Sequence, residues 1–182
     1  QLQYQDPTEP MDTEKILTQT SQLAALEASD NTKRALENLT ASLGNAQQFS
    51  TISAIGKTAD IGSNAVAHDK GSTTSFEIYF PTDVQQGTIE ITDVDGNIVG
   101  TLDVGTNDSG VYSFDWDGTT TTGDAAESGV YYVSASYADQ SGTSRTTRMG
   151  AYPIESVRFD NGTTYLKLGS SYVPLNNVVE VY

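Results

Sequence analysis

The fold of this chain is best judged from residues 114–131, FDWDGTTTTGDAAESGVY. Phe114 and Trp116 alternate with aspartates, which is the period of a β-strand with one buried and one solvated face. An Asp-Gly turn dipeptide and a polar loop follow, and a second strand begins close to Tyr131. Because the only tryptophan lies in this corner, we predict that Phe114, Trp116 and Tyr131 belong to the structural core of a β-sandwich.

Similar short β-patterns continue from residue 55 to the end of the chain. They are separated by Gly, Asp, Asn and Thr at spacings of roughly 8–12 residues, which is typical of a sandwich or of small barrels. Asp95-Gly96 also predicts a two-residue hairpin with a type I′ turn. The predicted strands are 55–61, 74–80, 87–92, 97–103, 110–115, 129–137, 144–149, 154–159, 164–168 and 173 onward.

The first fifty residues differ from the rest. An extended lead-in contains Pro7 and Pro10, and Asp12 is a predicted helix N-cap. A narrow apolar stripe follows at helical spacing, and Gly44 is the predicted end of the helix. The stripe consists of Ile16, Leu23, Leu26, Leu36, Leu39 and Leu43.

Two questions about this segment stay open in the sequence. Residues 28–34 contain no large apolar side chain, so residues 12–48 form either one helix or two. A helix cannot bury a stripe of leucines by itself. We therefore predict that the stripe is an assembly interface with sister subunits or another protein, and the alternative is that it folds back onto its own β-region.

The sizes of the β-segments predict three parts. Residues 149–182 contain too few strands to bury a core alone, and residues 54–71 are the β-rich segment outside the sandwich. We predict a helical assembly segment at 1–50 and a discontinuous small barrel formed by 54–71 plus 149–182. The sandwich, 72–148, is inserted into that barrel.

Composition excludes several classes of function. The net charge is −15, and residues 72–148 alone contain 12 acidic and 2 basic residues, so no basic face exists for nucleic acid. No apolar run approaches the ~20 residues that a membrane helix needs. Cysteine is absent, which excludes disulfides and thiolate metal sites. The chain begins with Gln1, and we expect the natural amino terminus and any export signal to lie upstream.

Three motifs superficially suggest chemistry. The run from Asp93 to Asn97 begins like a calcium loop but has no glycine at the required sixth position. Asp115 and Asp117 share a strand face, although no carboxylate is placed opposite them as glycoside hydrolysis requires. His68, the only histidine, cannot build a common zinc site alone and is predicted to lie in a loop. We predict no catalytic residue, no metal site and no cofactor.

Five segments together resemble a known family. They are QLQYQDPTEPMD at 1–12, SQLAALE at 21–27, IGK at 55–57, the FDWDG and GVY ends of 114–131, and VPLNNV at 173–178. The QDPxxPMD run is the most specific of them, and the five segments extend over nearly the whole chain. The chain resembles the flagellar hook-capping protein family, also called the basal-body rod modification protein family.

The resemblance implies a fold, a role and partners. The expected fold is mainly β, with a fibronectin/Ig-like sandwich inserted into a discontinuous Tudor-like barrel after an N-terminal helical segment. The expected role is a non-enzymatic scaffold, exported by the flagellar type III pathway to the extracellular tip of the growing hook. Its expected partners are further copies of itself, with a pentamer as a candidate subunit number, the hook protein and the export apparatus; neither nucleic acid nor membrane is expected.

One alternative function stays open on sequence grounds. An extracellular Ig-like adhesin or carbohydrate-binding module would present exposed aromatic side chains on a strand face. The tyrosines that could serve this purpose are Tyr79, Tyr132, Tyr137, Tyr152 and Tyr165.

Overall fold

A computed structural model describes residues 13–182 of the chain. The chain divides into two compact units, residues 1–49 and 50–182, and each is described by itself. The extended lead-in and the predicted N-cap at Asp12 lie outside the described residues.

Residues Thr13–Ile52 form one continuous helix, α1, of 40 residues, about 60 Å long at ~1.5 Å per residue. The expected end at Gly44 is wrong. A glycine inside a helix costs only about 1 kcal/mol relative to alanine, which the hydrogen bonds of the following turns offset. No described helix is both long enough and apolar enough to cross a membrane.

Local side-chain bonds support the centre of this helix, where a break was one of the two alternatives. Arg34 Nη2 lies 3.3 Å from Asp30 Oδ2, one helical turn earlier, and Lys33 Nζ lies 4.0 Å from Glu37 Oε1. Such exposed pairs stabilise a helix by only about 0.3–0.5 kcal/mol each. Their spacing of four residues is the one that brings side chains together on a helix, so they favour a continuous helix through this polar segment.

The remainder of the described chain is almost entirely β-structure, joined antiparallel throughout. One short 3-10 helix, Leu175–Asn177, interrupts it near the end. The strands are β1 (Thr58–Asp60), β2 (Ala65–His68), β3 (Thr74–Phe80), β4 (Val84–Thr92), β5 (Ile98–Val104), β6 (Gly110–Trp116), β7 (Gly129–Asp139), β8 (Ser144–Arg148), β9 (Ala151–Asp160), β10 (Thr163–Leu168), β11 (Ser171–Pro174) and β12 (Glu180–Val181).

Two sheets form a sandwich. The larger has the order β2-β7-β4-β5, with β8 also paired to β7, and the smaller consists of β3 and β6. Inward-facing side chains alternate along β3 and β7, as expected for strands with one solvated face. The apolar core between the sheets comprises Phe76, Ile78, Phe80, Val84, Ile89, Ile91, Val104, Trp116, Ala126, Tyr131, Val133, Ala135 and Tyr137.

A third sheet of five strands has the order β11-β10-β9-β1-β12. It combines strands from both sides of the sandwich in sequence, because β1 precedes the sandwich and β9–β12 follow it. Its own core contains Ala59, Tyr152, Ile154, Leu166 and Leu168. Residues 65–68 do not join this sheet as the predicted 54–71 segment implied. They pair with β7 of the sandwich, which buries the His68 end of the strand in the sandwich core.

The sandwich and the third sheet meet through specific bonds. The Arg148 guanidinium pairs with Asp60, and the Tyr152 hydroxyl donates to the Glu77 carbonyl oxygen at 2.8 Å. Burial raises the pKa of Tyr152 above its usual value. At the crossing, the Gly150 backbone has φ +96°, and an added Cβ would lie only 2.0 Å from the Ser63 carbonyl oxygen.

The hairpin predicted at Asp95-Gly96 joins β4 and β5, but its turn is not type I′. Gly96 has φ +84°, and Asn161 is the one described non-glycine residue with positive φ, whereas a type I′ turn needs positive φ at both central residues. The Asp93 side chain accepts from the backbone N–H groups of Asp95 and Asn97, both at 2.9 Å. The Asn97 side-chain amide also donates to Asp93 Oδ2, at 3.0 Å. This bond first, and then the backbone bonds, lower the pKa of Asp93, and together they hold the longer loop.

Candidate assembly surface

All six side chains of the predicted stripe are more than half exposed. Their exposed fractions range from 55% for Leu39 to 67% for Leu26. Sequence reasoning omitted three further exposed side chains on the helix, Leu17 at 65%, Phe49 at 75% and Ile52 at 45%, because none of them falls on the assumed repeat. The helix therefore exposes a large apolar area, which is unusual on the surface of a monomeric protein.

In a continuous helix, the six residues do not form one stripe. Leu23 and Leu36 are 13 residues apart, which at about 100° per residue places them roughly 140° apart around the axis. The first group is Ile16, Leu23 and Leu26, and we call it the N-terminal patch. The second is Leu36, Leu39 and Leu43, the C-terminal patch. The two patches lie on nearly opposite sides of α1 and about 26 Å apart along it.

The single-stripe interpretation required a break or a change of direction near residues 28–34. Because the helix continues through these residues, its rotation carries the second patch away from the first. One helix with two opposed apolar patches can contact two separate surfaces, which one narrow stripe cannot do.

The corner chosen from sequence lies at the sandwich core. Trp116 and Tyr131 are buried, and Phe114 is half-buried against Phe76 and Phe80. The Trp116 and Tyr131 rings meet edge to face with centroids 5.1 Å apart. The Trp116 indole N–H donates to the Thr119 carbonyl oxygen at 3.1 Å, so the polar loop after the strand satisfies it.

The sequence predicted that His68 lies in a loop, and this prediction is wrong, because His68 is the last residue of β2. It is 2% exposed, with its ring 4.6 Å from the Trp116 ring and its Nδ1 2.7 Å from Thr74 Oγ1. Gly118 covers the other side of the imidazole, since a Cβ there would lie 2.8 Å from Nε2. The local signal for this strand, the four residues Ala-Val-Ala-His, is short, and its partner strand is 61 residues or more away along the chain.

Asp115 and Asp117, which were considered as a catalytic pair, both accept hydrogen bonds from neighbouring residues. Asp115 Oδ1 accepts from the Ser75 hydroxyl at 2.5 Å, and Asp117 Oδ1 accepts from the Thr119 backbone N–H at 2.8 Å. Hydrogen bonds from Thr119 lower the pKa of Asp117. No group of three or more His, Cys, Asp or Glu side chains in residues 13–182 is arranged to hold a metal ion.

The five tyrosines of the alternative interpretation do not make an aromatic platform. Tyr137 and Tyr152 are buried in two different cores. Tyr79 and Tyr165 are half-buried, and of the five only Tyr132 is exposed.

Comparisons with known proteins agree along most of the chain. The family model described as the N-terminal region of the flagellar hook capping protein matches residues 1–38, and the FlgD Ig-like domain matches residues 63–141. The latter range contains β2, in accord with the pairing of β2 to the sandwich.

Relatives and solved structures extend this agreement. The basal-body rod modification protein FlgD of Escherichia coli is 31% identical over 179 residues, which are 93% of this chain and 77% of that protein. That of Salmonella typhimurium is 29% identical over 73% of this chain and 60% of its own length. The crystal structure of truncated FlgD from Helicobacter pylori superimposes with a TM-score of 0.65 at 29% identity, covering 72% of this chain and 95% of that one.

The fold is therefore mainly β, with an N-terminal helix and an Ig-like domain. The E. coli relative exceeds 30% identity over more than two thirds of its length, and both family models match in the expected order. This chain belongs to the flagellar hook-capping protein family, the family of basal-body rod modification protein FlgD.

Proposed function

We propose that this protein is a non-enzymatic scaffold for flagellar hook assembly. In this proposal, copies of the chain form a homo-oligomeric cap at the extracellular tip of the growing hook, where hook subunits assemble beneath them. Export through the flagellar type III pathway and contact with the hook protein belong to the same proposal. Membership of the hook-capping family supports it, and the exposed helix supplies a physical means of assembly.

The observation that carries the proposal is the exposure of six large apolar side chains on α1. Moving a Leu or Ile side chain fully out of water contributes about 1.5–3 kcal/mol. A helix that leaves six of them exposed gains stability when a partner covers them. The helix of another copy, with the same apolar residues, is such a partner.

The two patches also favour a particular kind of assembly. A two-fold dimer uses one surface on both subunits, whereas a closed ring joins two different surfaces of each subunit. Because the N-terminal and C-terminal patches lie on nearly opposite sides of α1, each helix can contact two neighbours. We propose that the cap is a ring of this kind, for which a pentamer is a candidate size.

The β-region has a separate role in this proposal. We propose that the third sheet is the Tudor-like barrel of the family, with the fibronectin/Ig-like sandwich as its insertion. Strand β1 joins β9 although the sandwich lies between them in sequence, which supports the discontinuous arrangement. The acidic sandwich keeps the cap soluble during export and assembly.

Variants of each patch test the assembly surface. Leu23→Asp with Leu26→Asp should lower the assembly mass of the purified chain, measured by light scattering, because charges would be buried at the contact. Leu39→Asp with Leu43→Asp should do the same. Ser21→Asp with Ala28→Asp adds equal charge at two exposed positions on the side of the helix turned away from the N-terminal patch, roughly 150–170° from it, and is the matched control. An unchanged mass in both leucine variants would refute assembly through α1.

Deletion of the gene tests the function itself. Loss of a hook cap should abolish hooks and release unpolymerised hook protein into the medium, and expression of the intact gene should restore hooks. Hooks of normal appearance in the deletion strain, seen by electron microscopy, would show that the protein has another role. A sugar-titration screen addresses the adhesin or carbohydrate-binding alternative, which the burial of Tyr137 and Tyr152 does not favour.

A further inference from the structure

The outward face of the third sheet carries a cation without a charged partner. Arg158 is exposed on β9 and makes no salt bridge with any described residue. Its guanidinium carbon lies 4.3 Å from the centre of the Tyr172 ring and 5.1 Å from that of Tyr165. Arg158 pairs with Tyr165 and Lys167 with Tyr172 across neighbouring strands, so the four side chains share one face.

This arrangement leaves a guanidinium ready to bind an anion. Aromatic rings attract the flat face of the guanidinium and hold its plane, while its N–H groups stay accessible at the edge. A carboxylate accepts two such N–H bonds side by side, and little side-chain freedom is left to lose on binding.

Lys167, on the same face, already forms an ion pair with Glu155. Its ammonium donates to Glu155 Oε2 at 2.5 Å, and this bond raises the pKa of Lys167. Arg158 is therefore the cation of this face that is available to a partner. Arginine and tyrosine are also among the residue types that contribute most to binding at protein interfaces.

The sandwich supplies the complementary charge. Residues 72–148 contain 12 acidic and 2 basic residues, and both arginines are paired, Arg145 with Asp139 and Arg148 with Asp60. Most of the carboxylates of the sandwich therefore have no cationic partner within the described chain. A second copy of this chain would offer an acidic surface to the Arg158 face, whereas nucleic acid would be repelled by the net charge of −15.

We propose that Arg158, held by Tyr165 and Tyr172, binds a carboxylate on the sandwich of a second copy. The contact rests on the proposed function, in which copies assemble, and adds an interface that is separate from α1. It joins two different surfaces, so it is compatible with a ring. Since the charges are exposed, raising the ionic strength should weaken the contact as the Debye length falls from about 30 Å at 0.01 M to about 3 Å at 1 M.

The first experiment measures self-association of the full chain by sedimentation at low and high salt. Arg158→Glu should weaken association at least roughly tenfold at low salt, and Tyr172→Ala, which keeps the charge, should weaken it about threefold or more. Lys57→Glu is the matched control. Lys57 is also exposed and makes no salt bridge with a described residue, so its substitution changes the net charge equally. Far-UV circular dichroism and melting check that each variant folds.

The second experiment identifies the carboxylate. Arg158→Lys keeps the charge and provides an amine that a carbodiimide couples to a contacting carboxylate. In a mixture of isotope-labelled and unlabelled chains, mass spectrometry should find the introduced amine joined to Asp or Glu of residues 72–148 on the other copy. Coupling only within one chain, or only outside the sandwich, would overturn the proposal.

The outcomes separate this contact from assembly through the helix. If Arg158→Glu and Lys57→Glu associate equally, the Arg158 contact is wrong, whatever the helix variants show. If the leucine variants keep their mass while Arg158→Glu loses it, assembly through α1 fails and the contact proposed here stands. If the wild-type chain shows no self-association and Arg158→Lys shows no coupling between chains, the Arg158 contact is overturned.

Discussion

The helix and the β-region of this protein use the same kinds of apolar residue in opposite ways. In α1, leucines are more than half exposed, as Leu36 shows at 59%. In the third sheet, Leu166 is fully buried in a core that also contains Ala59, Tyr152 and Ile154. The β-region therefore buries its own apolar side chains, whereas large apolar side chains of the helix stay exposed, and this difference is the reason why we propose that a partner covers them.

The largest expected effect comes from one matched pair of leucines. Leu166→Ala should lower the free energy of unfolding of the β-region by about 2–5 kcal/mol, because it removes buried methyl groups and leaves a cavity. Leu36→Ala should change it by less than about 0.5 kcal/mol, since an exposed side chain has little burial to lose. Urea unfolding followed by tryptophan fluorescence measures both. Equal losses in the two variants would contradict the division between a complete β-region and an incomplete helix.

A pair of glycines tests which close contacts stabilise the β-region. Gly150→Ala should destabilise by about 2–3 kcal/mol, because φ is positive there and the new Cβ would meet the Ser63 carbonyl oxygen at 2.0 Å. Gly142→Ala is the control, with positive φ but nothing within 4 Å. It should cost only about 1 kcal/mol for the backbone conformation. If the two variants unfold at the same urea concentration, the close crossing at Gly150 does not contribute to stability.

The smallest expected effect is a dependence on pH. Hydrogen bonds from Ser141, and then from Arg145, hold the pKa of the buried Asp139 carboxyl well below its usual range. A carboxyl whose pKa is lower in the folded state contributes stability above its unfolded value of about 4, and loses it as the pH falls toward the folded value. The urea midpoint of the wild type should therefore fall more steeply below pH ~4 than that of Asp139→Asn.

A second aspartate provides the control for that measurement. Asp108 is exposed, and its side chain makes no hydrogen bond or salt bridge with a described residue. Asp108→Asn should leave the wild-type acid dependence in place. If Asp139→Asn follows the wild-type curve instead, the bonds around Asp139 do not govern the acid sensitivity of the β-region.

Much of the β-region was predictable because its signals are local. The Phe-x-Trp alternation and the Asp-Gly dipeptides are signals between near neighbours in sequence. From such signals, most strands were predicted within a few residues of their observed bounds. The strand around His68 was missed for the opposite reason. Its pairing with residues 129–132 of β7 is a long-range contact that no local pattern reveals, so a buried imidazole was expected in a loop.

The amino-acid sequence is sufficient to identify the apolar residues of α1, the acidity of the sandwich and the family. The continuity of α1 is known from the folded chain alone, and it matters because rotation along a continuous helix separates the N-terminal patch from the C-terminal patch. Only strand pairing, likewise, brought Arg158 onto one face with Tyr165 and Tyr172. A local pattern depends on residues that are neighbours in sequence. Which side chains share a face depends instead on helix continuity and on strand pairing, and both are properties of the folded backbone.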